Sequence, residues 1–162
     1  MQAALAIDPK NFRKVCSRFA TGIAVATVTD SAGKPHGLTI NSFTSVSCEP
    51  PLVLVCIDYR AAALPHFRAN PYYGINVLCD SQRNLSVRFS ERQDERFDGI
   101  EWHRGITGAP LLGGCLASFE CCVSQTVEAG DHAILIAEVL RAENRDGEPL
   151  IYWGSRYRHL LP

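Results

Sequence analysis

The sequence predicts a mainly β protein: a closed or nearly closed antiparallel barrel with small peripheral helices. Strand-like segments outnumber helical ones, and the helices do not alternate with strands as a doubly wound sheet requires. Residues 52–57 are an unbroken apolar run of strand length. At 162 residues the chain is expected to form one domain, 1–162, burying about 70% of the surface its unfolded form exposes. Neither a disulfide nor a structural metal is then needed for a stable core.

Taken in order, Asp8-Pro9 ahead of Phe12, Val15, Cys16 and Phe19 reads as an N-cap, a first-turn proline and an apolar stripe at helical spacing. That helix is expected to end near Ala20. Residues 23–30 form a β-branched strand, 31–34 a turn, and 35–47 return as extended chain. The run at 52–57, opened by Pro50-Pro51, predicts a central strand covered on both faces. Helices are expected at 61–69 and 81–90, the second capped by Ser81 with Leu85 and Phe89 inward, and a strand at 73–78. Residues 91–114 read as a long loop. Alternation of Ala117, Phe119, Cys121 and Val123 with polar residues marks 116–127 as a half-buried strand. After the Gly130-Asp131 turn, 132–141 form the next strand, and 150–153 and 157–160 are short strands around Gly154.

Composition excludes several classes. Sixteen Lys and Arg against seventeen Asp and Glu, a net charge of −1, spread without blocks of one sign, leave no basic stripe for nucleic acid and no polybasic patch for a membrane. No apolar run approaches the roughly eighteen residues that span a bilayer, and MQAALAIDPK lacks the order of a signal peptide. A cytoplasmic protein is expected. The seven cysteines are odd in number and include no C-x-x-C pair, so most are expected to be buried, reduced core residues, with no metal site. Nothing pairs a cysteine with a base for Cys-His catalysis.

The chain also lacks G-x-G-x-x-G, the phosphate-binding G-x-x-x-x-G-K-S/T, H-E-x-x-H and G-x-S-x-G. Its densest polar cluster is residues 39–47, with five hydroxyls and one amide. Alternation puts Thr39, Asn41, Ser45 and Ser47 on one face. Such groups suit a heteroaromatic ring with carbonyl and imide edges, or a phosphate, and equally a solvent-facing strand. His132, after Gly130-Asp131, is placed to meet a ligand or to serve the turn. Arg83, Arg88, Arg92 and Arg96 suit either a phosphate or a solvated face.

Together, Gly37-Leu38-Thr39-Ile40-Asn41-Ser42-Phe43, Ser45-Val46-Ser47, Pro50-Pro51-Leu52-Val53-Leu54-Val55-Cys56-Ile57-Asp58, Asn76-Val77-Leu78, Arg88-Phe89-Ser90, Gly108-Ala109-Pro110, Gly130-Asp131-His132 and Pro149-Leu150-Ile151-Tyr152 resemble the short-chain flavin reductase family, which has the FMN-binding split-barrel fold. The chain is similar to the small reductase components of two-component flavin monooxygenases, such as that of 4-hydroxyphenylacetate 3-monooxygenase. The resemblance implies a homodimer that reduces FMN or FAD with NADH or NADPH and supplies the reduced flavin to a partner flavin-dependent monooxygenase. A non-catalytic flavin-binding or carrier protein and an FMN-dependent oxidase on the same fold are the alternatives.

The resemblance further implies that Thr39, Ile40, Asn41, Ser42, Ser45, Val46 and Ser47 wrap the flavin ring and ribityl phosphate, and that Cys56, Ile57 and Asp58 line the ring. Arg88, Phe89 and Ser90 match the phosphate or adenylate end. His132 matches a histidine that faces the nicotinamide, and Tyr152 and Arg156 approach the pyridine nucleotide. Where many members carry Ser or Thr, this chain has Ala61-Ala62-Ala63, so the N–H groups of Ala61 and Ala62, with Arg60 or Arg88, are expected to meet the phosphate. Hydride transfer needs no protein acid or base, so no catalytic dyad is expected.

Overall fold

The structure, a computed structural model, describes residues 7–92 and 95–160. The chain runs α1 (Pro9–Cys16), β1 (Thr21–Gly22), β2 (Ala24–Thr29), β3 (Pro35–Ile40), β4 (Thr44–Cys48), β5 (Pro51–Asp58), α2 (Leu64–Ala69) and β6 (Tyr72–Val77). A 3-10 turn (Asp80–Gln82) leads into α3 (Arg83–Ser90), then β7 (Trp102–Arg104), β8 (Pro110–Leu112), β9 (Ala117–Ala129), β10 (His132–Asn144), β11 (Ile151–Trp153) and β12 (Arg156–Arg158).

Seven strands form one antiparallel sheet in the order β3-β2-β6-β9-β10-β5-β4. Its edge strands, β3 and β4, are joined by residues 41–43 alone. A flat sheet of seven strands at about 4.8 Å spacing would hold its edges nearly 30 Å apart, beyond the roughly 14 Å that so short a link spans. The sheet therefore curls until its edges meet, the barrel expected from the sequence. Ser42 marks the seam. Its hydroxyl accepts from the Cys56 N–H at 3.0 Å and donates to the Cys56 carbonyl at 3.1 Å, clipping the link to β5 beyond the last β4 pairing at Leu54.

The strand covered on both faces is β2, not β5. Every β2 position is buried, because Ala24, Ala26 and Val28 face the barrel core while Val25 joins a second cluster with Ile23, Leu78, Phe89, Phe97, Leu112 and Leu150. β5 lies next to the edge and alternates: Val53, Val55 and Ile57 are buried, and Leu52, Leu54 and Cys56 are half-exposed. An unbroken apolar run therefore does not by itself show that both faces of a strand are covered.

Other expectations shift for local reasons. Asp8 caps α1 through a 2.9 Å bond from the Asn11 N–H, but the helix stops at Cys16, and its stripe of Phe12, Val15 and Phe19 is exposed. The extended segment 35–47 breaks at residues 41–43, so Thr39 and Asn41 do not share a strand face with Ser45 and Ser47. Ser81 does not cap α3; the preceding turn is closed by the Gln82 side chain, which accepts from the Cys79 N–H at 3.1 Å. The presumed loop 91–114 contains the β7–β8 hairpin. All seven cysteines are free, yet only Cys79 and Cys121 are buried. At the other turns sequence and structure agree: Gly130, at φ +61°, begins the two-residue turn between β9 and β10, as a type II′ turn requires.

Two buried polar clusters tie β8 to the barrel. The Asn76 amide donates to the Val25 carbonyl and to Thr27 Oγ1, both at 3.1 Å, and accepts from the Leu112 N–H at 2.8 Å; Thr27 in turn donates to the Pro110 carbonyl. A Cβ on Gly74 would stand 2.8 Å from that carbonyl, so only glycine lets β8 cross β6 so closely. Glu120, 2% exposed, accepts from the Thr107 N–H at 2.8 Å and hydroxyl at 2.7 Å. No helix among the described residues is long and apolar enough to cross a membrane.

Candidate functional site

Three adjoining clefts run along the end of β3, beside the second cluster. The middle one, about 230 Å³, lies between Thr39 and Asn41 on one side and Ser86, Tyr152 and Tyr157 on the other. Its floor is a hydrogen-bonded chain. Thr39 Oγ1 donates to the Ser86 carbonyl at 2.6 Å, and Ser86 Oγ and the Tyr157 hydroxyl are 2.9 Å apart. Tyr152 meets the Tyr157 ring edge-on at 5.7 Å between centroids, giving the cleft an aromatic wall.

Towards α2, Thr39 and Ser90 pass into a cleft of about 210 Å³ bordered by residues 60–63, Arg92 and Arg96. Its chemistry suits an anion. Three arginines converge there, and the N–H groups of Ala62 and Ala63 bond to no described residue. The Ala61 N–H does not contribute, because it donates to the Asp58 carbonyl at 2.9 Å. In the other direction, Asn41 opens on a cleft of about 170 Å³ lined by residues 19–24, Phe43 and Val77. There the buried Thr21 Oγ1 has no partner among the described residues.

Beside this groove, the Asp58 carboxylate is gripped by Arg60 through its backbone N–H at 2.8 Å, Nε at 3.1 Å and Nη2 at 2.7 Å. Those bonds hold the carboxyl well below the ordinary carboxylate range. Across the strand pair, His132 lies opposite Asp58. Its Nδ1 sits 2.7 Å from Asp131 Oδ1, which leaves Nε2 as the ring atom available to a ligand.

A family model described as "Flavin reductase like domain" matches residues 16–161. The chain belongs to the flavin reductase-like domain family. It is 41% identical over 150 residues to "FMN reductase (NADH) SmoA" of Agrobacterium fabrum, covering 93% of this chain and 85% of that protein. It is 34% identical over 161 residues to "Flavin-dependent monooxygenase, reductase subunit HsaB" of Rhodococcus jostii, covering 99% and 82%. It also spans 48% of a longer relative that is 40% identical. Among solved structures, the Streptomyces globisporus NADH:FAD oxidoreductase in complex with NAD and FAD fragments superposes with a TM-score of 0.90 at 37% identity, covering 98% of each chain.

In this flavin reductase-like domain the expected site residues divide. Thr39, Ile40, Asn41, Ala61, Ala62, Ser90 and Tyr152 line the groove, and Phe89, 1% exposed, backs it. Ile57 does not, because it is fully buried in the barrel core and offers a ligand no surface. Arg88 does not either, since its guanidinium donates to the carbonyls of Glu95 and Asp98 at 3.0 and 2.5 Å. Arg156 is exposed on β12, and its neighbour Tyr157 lines the cleft instead. The Ser42 hydroxyl is engaged by the Cys56 backbone. Ser45, Val46, Ser47, Cys56 and Asp58 lie outside these clefts, on β4 and β5; burial raises the Cys56 thiol above its usual pKa.

Tyr157, Ser86 and Thr21 went unrecognised in the sequence. The signal for Tyr157 was its place at the centre of a short strand that doubles back on Tyr152. Arg92 and Arg96 were visible as charges, and the helix end at Ser90 was expected, but nothing showed that the chain beyond it turns these two into the cleft.

Proposed function

We propose that this chain is an NADH-dependent flavin reductase that transfers a hydride to FMN or FAD and passes the reduced flavin to a partner flavin-dependent monooxygenase. The observation that carries this reading is the groove itself. One end has arginines and two N–H groups suited to a phosphate, and the other has an aromatic and apolar slot with the Thr21 hydroxyl, these N–H groups and this hydroxyl having no partner among the described residues. The relatives, an FMN reductase named as using NADH and a reductase subunit of a flavin-dependent monooxygenase, support it.

The residues fit a flavin mononucleotide moiety. Arg92, Arg96 and the N–H groups of Ala62 and Ala63 would hold the phosphate, while Thr39, Asn41 and Tyr152 would flank the ring. A bound flavin supplies the ring that accepts two electrons as a hydride. The protein's part is to hold its substrates at reacting distance and exclude water. Tyr152, Tyr157 and Ile23 wall the slot, and His132, which borders none of the three clefts, would meet the nicotinamide amide from beside the groove through Nε2, steadied by Asp131. No side chain has to move a proton.

We also infer a homodimer. Leu54 and Cys56 of β5 and Ile134 of β10 form a half-exposed apolar face, and Phe12, Val15 and Phe19 are more than half exposed. A second copy would cover these and bring Ser45, Val46, Ser47 and Cys56 to an interface. Light scattering at micromolar concentration tests this, and a strictly monomeric mass overturns it.

The functional test is anaerobic mixing of the protein with NADH and FMN or FAD while following the flavin's visible band. The proposal requires catalytic bleaching; bleaching no faster than without protein would leave a flavin carrier as the better description.

A further inference from the structure

Three side chains from separate elements meet on the far side of residues 62 and 63 from the groove. Asp30 follows β2, His36 lies on β3 and His66 on α2. One ligand atom from each falls within 4.8 Å of the others. Asp30 Oδ2 is 3.0 Å from His36 Nε2, and the two imidazoles stack with centroids 3.8 Å apart and planes 18° from parallel.

We infer that Asp30, His36 and His66 form a binding site for one divalent transition-metal ion, of the class of Zn²⁺. Two imidazoles and one carboxylate are a donor set that Zn²⁺ and its first-row neighbours prefer over Mg²⁺ or Ca²⁺. Metal–ligand bonds of about 2.0–2.2 Å place tetrahedral donors roughly 3.4 Å apart, so donors that lie within 4.8 Å of one another close on an ion once the stacked imidazoles turn their nitrogens towards it.

The surroundings are prepared for this. Asp30 Oδ1 accepts from the N–H groups of Ala32 and Lys34 at 2.9 and 2.8 Å, which fixes the carboxylate and leaves Oδ2 aimed at the imidazoles, the outer-shell support that metal ligands characteristically have. His36 and Asp30 are only 24% and 20% exposed at their side chains. Lys34, which borders the same cleft, is paired with Glu95 at 3.6 Å. Both histidines open on a cleft of about 410 Å³, which supplies water for a fourth position.

The site joins the β2–β3 hairpin to α2, the two elements on either side of the anion-binding end of the groove. It does not depend on the flavin reading, because its test needs neither flavin nor turnover.

The experiment is titration of chelator-treated protein with Co²⁺, whose visible absorption reports its coordination. One equivalent per chain is expected. His36→Gln and His66→Gln should each weaken binding about tenfold or more, and the double variant should abolish it. Zn²⁺ should raise the melting temperature of the wild type and not of the double variant. Undiminished Co²⁺ binding in the double variant, or a near-ultraviolet sulfur-to-cobalt charge-transfer band that assigns the ion to cysteine, overturns the inference. Should the double variant not fold, the wild type decides by NMR: Co²⁺ must shift the ring signals of two of the five histidines, and shifts in none overturn the site.

Discussion

Replacing Asn76 with leucine isolates the polar tie between β8 and the barrel. The two side chains branch at the same atom, so the lost hydrogen bonds are the main cost, and leucine's bulkier methyl groups can only add to it. Leu112, 4% exposed, loses the only acceptor recorded for its N–H, at about 2 kcal/mol for a buried orphan, and the Val25 carbonyl and Thr27 hydroxyl, both 0% exposed, each lose a donor worth about 1 kcal/mol. The total, about 4 kcal/mol, is a large share of the 5–15 kcal/mol that typically stabilises a domain. At roughly 3 °C per kcal/mol for this size, Asn76→Leu should melt about 12 °C lower. Calorimetry on both proteins at matched concentration measures it, with an exposed substitution, Asn144→Leu, expected within about 2 °C of wild type. A fall of less than about 3 °C for Asn76→Leu would show that water or backbone rearrangement replaces these bonds, and the account of β8 would fail.

Three further outcomes are expected. Arg92→Ala should raise the KM for FMN about threefold, the equivalent of roughly 0.7 kcal/mol for an exposed charge contact, with riboflavin, which lacks the phosphate, unaffected; equal effects on both would remove Arg92 from the phosphate end. His132→Ala should raise the KM for NADH about tenfold while flavin affinity stays put, and steady-state kinetics with each substrate varied in turn separates the two. Burial opposes ionisation of Glu120, but donation from the Thr107 N–H and hydroxyl outweighs it and holds the carboxyl below its ordinary value of 4.5. Its stabilising contribution is therefore complete above that value and lost as pH falls through the lower folded-state pKa; Thr107→Val should flatten the acid limb of melting temperature against pH, and an unchanged limb would assign the acid sensitivity elsewhere.

Much of the barrel was legible because its signals are local. The alternation of 117–124 and the Gly130-Asp131 turn specify β9, β10 and their hairpin from neighbouring residues alone. What was misread depends on partners distant in sequence. Whether an apolar run such as 52–57 is covered on both sides is decided by what packs on it, and β2, with its small and β-branched residues, took the doubly covered place. The break at 41–43 was hidden because its residues suit extended chain as well as a link, and only closure of the sheet forces the turn. In the groove, Thr39, Asn41 and Tyr152 were found by resemblance to a family, whereas the exchange of Arg88 for Arg92 and Arg96 follows from where the chain beyond α3 turns. The Asp30, His36 and His66 cluster spans 36 residues of sequence and has no motif spacing, so nothing short of the fold assembles it.

The seam at residues 41–43 makes the fold a hoop whose fastening is also its pocket wall. Asn41 and Phe43 face the groove while Ser42 fastens β5. A molecule seated there braces the fastening, and resistance to heat becomes a gauge of occupancy. At a hundredfold excess over its Kd a ligand adds about 2.7 kcal/mol, so melting curves recorded with FMN, FAD and NADH in turn would rank the occupants of the groove before any turnover is measured.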